Sequence, residues 1–260
     1  MSTEEEIKLG LALGAGCARG IAHIGVLQVF EEAGIGIDYI TGSSIGALIG
    51  GIYAAGTDLK VLGEIASSLS WNQLLEIGFS RLGLVRGKRL YELLKLLTKD
   101  KTFDELSIPF TAVATDIESG DEVLITEGRV ADGIMASISI PGIFVPINID
   151  GRLLVDGAVV NRLPVDIVRE MGADVIIGVS IEAGSARVQI KNIVDIILQS
   201  VDVMQTELLK EKNITADLLI RPKVGHFTPS QIEKAEELVY AGREGALAVL
   251  PDIKRLLRQF

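Results

Sequence analysis

The chain has 260 residues, with 25 Lys and Arg against 35 Asp and Glu, a formal charge of -10 and 48% hydrophobic residues, a composition that excludes disorder and supplies a large core. The acidic balance argues against a nucleic-acid surface, which needs clustered Lys and Arg to displace counterions from phosphate. One cysteine, Cys17, forms no internal disulfide, and the start Met1-Ser2-Thr3-Glu4-Glu5-Glu6 has the wrong charge for a signal peptide, so a cytoplasmic protein is expected.

Residues Ile7 to Leu13 read as a buried strand, followed by the turn Gly14-Ala15-Gly16-Cys17-Ala18-Arg19-Gly20 and an amphipathic helix from about Ile21 to Ala33. Ile37 to Thr41 is a second strand and Ser44 to Ala55 a second helix. No residue between Asp38 and Asp58 is charged, but Gly42, Gly46, Gly50, Gly51 and Gly56 punctuate the run. Because glycine costs a helix interior about 1 kcal/mol relative to alanine, a buried strand-turn-helix is expected there and not a membrane span. Further strands are expected at Phe110 to Ile117, Glu122 to Thr126, Arg152 to Val155, Asp174 to Ile181 and Leu218 to Arg221. Helical periods occupy Leu59 to Ser68, Lys88 to Thr98, Val165 to Met171, Val188 to Lys212 and Ser230 to Leu256, the last expected to break at Pro251. Successive β-to-α units predict a single α/β domain over residues 1–260, with helices on both faces of a mainly parallel sheet. Its core covers about 7–182, with a helical insertion at about 59–101 and C-terminal helices at about 187–258.

Three segments carry chemistry. Gly42-Ser43-Ser44-Ile45-Gly46 is a G-x-S-x-G between a strand and a helix, the setting of a tight elbow with Ser44 at its centre. The alternative is a turn in which Ser43 or Ser44 caps the helix. The glycine-rich first turn points backbone N–H groups beyond the sheet edge, where they can hold a phosphate or an oxyanion. Its spacing, Gly14-x-Gly16-x-x-x-Gly20, is one residue longer than the dinucleotide fingerprint, although Glu31 and Asp38 fall where a ribose-binding acid would lie. Leu153-Leu154-Val155-Asp156-Gly157-Ala158 ends a strand on an aspartate, which is either a turn former or a buried carboxylate near Ser44.

In this order the three segments resemble the patatin-like phospholipase family of serine acyl hydrolases, over about Ile7 to Ile181. Ala22-His23-Ile24-Gly25-Val26-Leu27, Ala114-Thr115-Asp116, the stretch from Ala136 to Gly142, and Gly172-Ala173-Asp174 also look like the bacterial members. The resemblance implies a three-layer α/β/α fold and a lipid or other acyl-ester substrate. It places the nucleophile on Ser44, the general base on Asp156 and the oxyanion donors on the backbone of Gly14, Ala15, Gly16 and Cys17. Gly42, Gly46, Arg19, Gly20, Gly157 and Ala158 complete the elbow and the motifs. Many members carry glycine where this chain has Ala15 and Cys17. The dyad it implies works without histidine. His23 reads as a core residue, whereas His226 stands where a hydrolase triad would place its histidine. Arg19 is expected to bind an anionic substrate group or pair with a carboxylate such as Asp116.

No metal-ligand cluster or cofactor motif is visible. Between Phe79 and Lys101 seven basic residues face two acidic ones, a local +5, and Leu90, Leu93, Leu94 and Leu97 make one apolar face. This segment either rests on anionic lipid headgroups, as a peripheral membrane contact, or docks on the core. Rival functions are an acyltransferase on the same site, a dinucleotide-binding protein and a noncatalytic lipid-binding module.

Overall fold

In the computed structural model the described residues are 7–70, 73, 81–182, 190, 193–211 and 215–258. The elements run β1 (Leu9–Leu13), α1 (Ala22–Glu32), β2 (Tyr39–Ser43), α2 (Ile45–Ala54), α3 (Leu59–Ser68), β3 (Gly83–Val85), α4 (Lys88–Leu97), β4 (Phe110–Asp116) and β5 (Glu122–Ile125). They continue with α5 (Val130–Ser137), β6 (Gly142–Phe144), β7 (Ile147–Ile149), β8 (Arg152–Asp156), α6 (Val165–Glu170), β9 (Val175–Val179), α7 (Ile193–Glu211), β10 (Leu218–Ile220) and α8 (Ala235–Leu256).

Strands β10, β9, β1, β2 and β4 pair in parallel, in that order, and β5, β7 and β8 join antiparallel at one end of the sheet. Alternation along the strands supplies two apolar faces. Leu9, Leu11, Leu13, Val175, Ile177 and Val179 join the large core under α1, α2 and α8, while Ala12 and Ile176 meet Val165 and Val168 of α6 on the other side. The result is a mixed α/β fold with a central sheet between helical layers.

The register around β4 explains where the chemistry sits. Along β4, Ala112 is bridged by both Gly42 and Ile125, and Ala114 by both Val123 and Asp156. A strand has two edges, so β5 takes one, and β2 and β8 share the other. Running in opposite directions, they meet end to end: Ser43 pairs with Val113, and Asp156 with the next residue, Ala114. The register therefore brings Ser44 and Asp156 together although 112 positions separate them.

Several expectations need correction. Helix α8 runs through Pro251 without a break. Leu247 and Pro251 are both exposed, so water can take the carbonyl that the missing N–H leaves, while buried Ala246 and Ile253 anchor the helix on either side. Strand β2 spans Tyr39–Ser43 rather than Ile37 to Thr41, because Asp38 Oδ2 accepts the N–H of Leu9 and fixes the strand's entry. Helix α5 and the three-residue strands β3, β6 and β7 are additional elements. In the 59–101 segment, Leu90, Leu94 and Leu97 are buried against the core, so α4's leucine face is not open to lipid. The first residues of the helix expected from Val188 lie partly outside the described residues.

Candidate active site

Ser44 occupies the N-cap position of α2, at φ 54 and ψ -125. A non-glycine residue at such angles is strained and must be held by its surroundings. The sequence supplies the room: a Cβ at Gly46 would strike the carbonyl of Leu13, and one at Gly42 would strike the Ala47 backbone. The backbone N–H of Ser44 donates to Ser137 Oγ at 3.0 Å, and Ser137 Oγ donates to the Val113 carbonyl. The Ser44 side chain does not cap the helix. Its Oγ donates instead to Asp156 Oδ2 at 2.6 Å, while Asp156 Oδ1 accepts the N–H of Ala158 at 2.9 Å. Gly157 lies against β4, with the Val113 carbonyl where its Cβ would be.

Burial pushes the Asp156 carboxyl up from its ordinary 3.8 to about 6, against the pull of its bonds from Ser44 and Ala158 and of the Arg162 charge. It is thus a stronger base than a solvated carboxylate and still ionised at neutral pH. His226 lies elsewhere, with its ring 4.0 Å from that of Phe227 in the approach to α8. His23 is fully buried on α1 with Nε2 2.7 Å from the Gly14 carbonyl. Burial lowers its pKa to about 4, so the neutral ring donates Nε2–H to the loop.

The first turn spends part of its backbone on itself. Gly14 N–H donates to the Val179 carbonyl, Ala15 N–H to the Arg162 carbonyl and Ala18 N–H to the Pro229 carbonyl. Among the described residues the N–H groups of Gly16 and Cys17 have no intramolecular acceptor. Cys17 is held at φ 51, and its thiol is pushed up to about 12 by burial and the Asp156 charge, which keeps it protonated and unfit as a nucleophile. Asp38 does not border this turn, since it binds the opposite end of β1.

Behind the turn lies a cluster that the sequence does not announce. Arg19, expected against substrate or Asp116, instead places its Nη2 2.6 Å from Asp202 Oδ1 on α7, and its Nε donates to the Gly16 carbonyl. Arg162 reaches the same Asp202 oxygen at 3.2 Å and also donates to Gln205 Oε1 and the Ile181 carbonyl. All four side chains are buried. Asp116 instead accepts the N–H of Glu118 in its own turn.

Ser44, Cys17 and Ala18 open on a cavity whose remaining walls, among the described residues, are apolar, built from α2, α3 and α4 with Phe144 and Leu198. Ile45, Leu48, Ile49 and Ile52 of α2 line it away from Ser44 over about 10 Å, at 1.5 Å per residue. Leu90, Leu93, Leu94 and Leu97 of α4 face them across it. Among the described residues no His, Cys, Asp and Glu group could hold a metal ion, and no helix is long and apolar enough to cross a membrane.

A family model for patatin-like phospholipases matches residues 11–169, more than half of the chain. The chain belongs to the patatin-like phospholipase family. Over 186 residues this patatin-like chain is 41% identical to an uncharacterised NTE family protein of Mycobacterium tuberculosis, a match covering 69% of the chain and 51% of that protein. Over 181 residues it is 33% identical to the neuropathy target esterase sws of Drosophila melanogaster, covering 66% of the chain and 13% of that protein. The chain thus spans about half the length of the mycobacterial relative and a smaller part of the animal one. Its fold is also that of VipD from Legionella pneumophila, with a TM-score of 0.68 at 16% identity, over 95% of this chain and 67% of that one. The type III effector ExoU matches with a TM-score of 0.53 at 13% identity, over 95% of this chain and 53% of that one.

Proposed function

We propose that the chain is a serine acyl hydrolase of lipid esters, in which Ser44 is the nucleophile, Asp156 its general base, and the Gly16 and Cys17 N–H groups the oxyanion donors. The observation that carries this reading is the 2.6 Å bond from Ser44 Oγ to a carboxylate raised to about 6, on the wall of an apolar cavity. Asp156 takes the Ser44 proton as Oγ attacks the acyl carbonyl carbon. The carbonyl oxygen becomes an oxyanion, stabilised by the two unspent N–H groups and the positive end of α2. Collapse breaks the ester bond, and the leaving alcohol takes the proton from Asp156. Water then attacks the acyl-enzyme, giving its proton to Asp156, and the acid leaves as Ser44 regains a proton.

The cavity supports a long apolar acyl group over a short polar one, because among the described residues of its walls only Ser44 and Cys17 have polar side-chain atoms. The buried Arg19 and Arg162 are engaged by Asp202, Gln205 and backbone carbonyls, which supports a structural role for them over anion binding. The test is hydrolysis of a lysophospholipid and of a series of acyl nitrophenyl esters by the wild type and by Ser44→Ala. Turnover by the wild type that Ser44→Ala reduces by at least about 10³ is expected, because the substitution removes the nucleophile itself. Equal rates in both, or none in either, would overturn the reading.

A further inference from the structure

Helix α7 has two faces of opposite character. Leu198, Asp202 and Gln205 are buried, and on the far side Ile193, Ile196, Val203 and Met204 are exposed by 49 to 59%. At 100° per residue these four lie within a single arc of the helix, together with exposed Ser200 and Glu207. A second apolar pair lies on β3, where alternation turns Gly83 and Val85 inward and leaves Leu82 before the strand and Leu84 within it exposed by 57% and 42%. The two features meet at β6. Gly83 pairs with Gly142, and Ile197 Cδ1 lies 3.4 Å from where a Gly142 Cβ would be. Exposed Arg81, Arg86 and Lys88 edge the β3 side, in a chain whose net charge is -10. The cavity is walled by the same region, through Phe144 on β6 and Leu198 on α7.

Resting on the lipid-hydrolase reading, we propose that Leu82, Leu84 and the outer stripe of α7 form one docking face for an anionic lipid surface. The apolar side chains enter the acyl boundary while Arg81, Arg86 and Lys88 meet the headgroups. The basic edge points to the occupant: Arg81, Arg86 and Lys88 make a local positive edge in a chain of net charge -10, and an anionic bilayer offers continuous negative charge along it. Seated this way, the bilayer is one element away from the cavity that ends at Ser44, so a lipid need leave it only by a short path. The surface is distinct from the α4 leucines, which the cavity uses.

The experiment separates docking from catalysis. The Ser44→Ala chain, which cannot consume the vesicles, is floated with phosphatidylcholine vesicles containing phosphatidylglycerol and with phosphatidylcholine alone. It is expected to float with the anionic vesicles and to be released by salt. Arg81→Ser/Arg86→Ser/Lys88→Ser should weaken that binding by about fivefold per charge, and Leu82→Ser/Leu84→Ser and Ile193→Ser/Ile196→Ser by about tenfold or more each. In the Ser44 background the same variants should keep their melting temperatures and hydrolyse a soluble short-chain ester within about twofold of wild type. Anionic-vesicle binding that survives all three sets, or is absent in the parent, would overturn the proposal. So would a sedimentation dimer dissolved by the apolar variants, which would assign the face to a second copy. Failure of the functional reading looks different: vesicles bound through this face with no ester hydrolysed.

Discussion

Asp156 and Asp202 are both buried carboxylates, and Arg162 acts on both of them, yet they face opposite surroundings. Asp202 receives two guanidinium groups on one oxygen, from Arg19 and Arg162, and is locked between α7 and the first turn. Asp156 receives one hydroxyl and one amide, feels Arg162 only through space, and is pushed up to about 6 by burial. A buried carboxylate matched by cations is held for structure, whereas one matched only by neutral donors keeps an appetite for a proton. The difference is decided by which residues the fold places around each acid, since Asp202 meets Arg19 across 183 positions of sequence.

The largest expected effect breaks the Asp156 side of the comparison. Asp156→Asn should lower ester turnover by at least about 10² with the fold intact. It should also stabilise the chain at neutral pH. The folded Asp156 titrates near 6 against an ordinary 3.8, so the folded state binds the proton more tightly and stability falls as pH rises from about 4 to 6. Above 6 the full penalty is present, about 3 kcal/mol for about two units. His23 has the opposite slope: its pKa drops from 6.5 to about 4, so its stability is complete above 6.5 and lost as pH falls toward 4. Urea midpoints of the wild type should therefore change little between pH 4.5 and 6 through these two groups, and those of Asp156→Asn should rise. Parallel profiles would contradict the assigned shift.

Asp202→Asn sharpens the other side. It leaves two buried guanidiniums without a counter-charge, and a loss of about 3 to 5 kcal/mol in chemical denaturation is expected. A loss below about 1 kcal/mol would show that the cluster is not a buried ion pair in solution. Ser137→Ala is smaller. It strands the Ser44 N–H and should cost about 1 to 3 kcal/mol of stability and about tenfold in turnover. His226→Ala should change turnover by less than about twofold, because its ring lies on Phe227 and not on the Ser44 bond.

Local pattern was enough for the elbow, since glycines at 42 and 46 and a serine between them report a backbone constraint inside five residues. It was also enough for the parallel half of the sheet, where long apolar runs alternate with helical periods. It was not enough for Arg19, whose partner lies on a distant helix, nor for Ser137, whose hydroxyl matters only because α5 crosses Val113. Helix α5 hides because Val130, Ala131, Ile134, Met135 and Ala136 are all buried and leave no polar face to mark a period. The short strands hide because three residues carry too little alternation. In the first turn, spacing marks a loop of donors, and only the hydrogen bonds of Gly14 and Ala15 show which donors are already spent.

The central claim, that Ser44 is activated by Asp156 alone, is tested most directly by the pH dependence of fluorophosphonate labelling, followed by intact mass with peptide mapping of the adduct. The account predicts a single adduct on Ser44, none in Ser44→Ala, a rate that rises through a limb near pH 6, and the same limb in His226→Ala. An adduct on another residue, or a limb that disappears in His226→Ala, would contradict it.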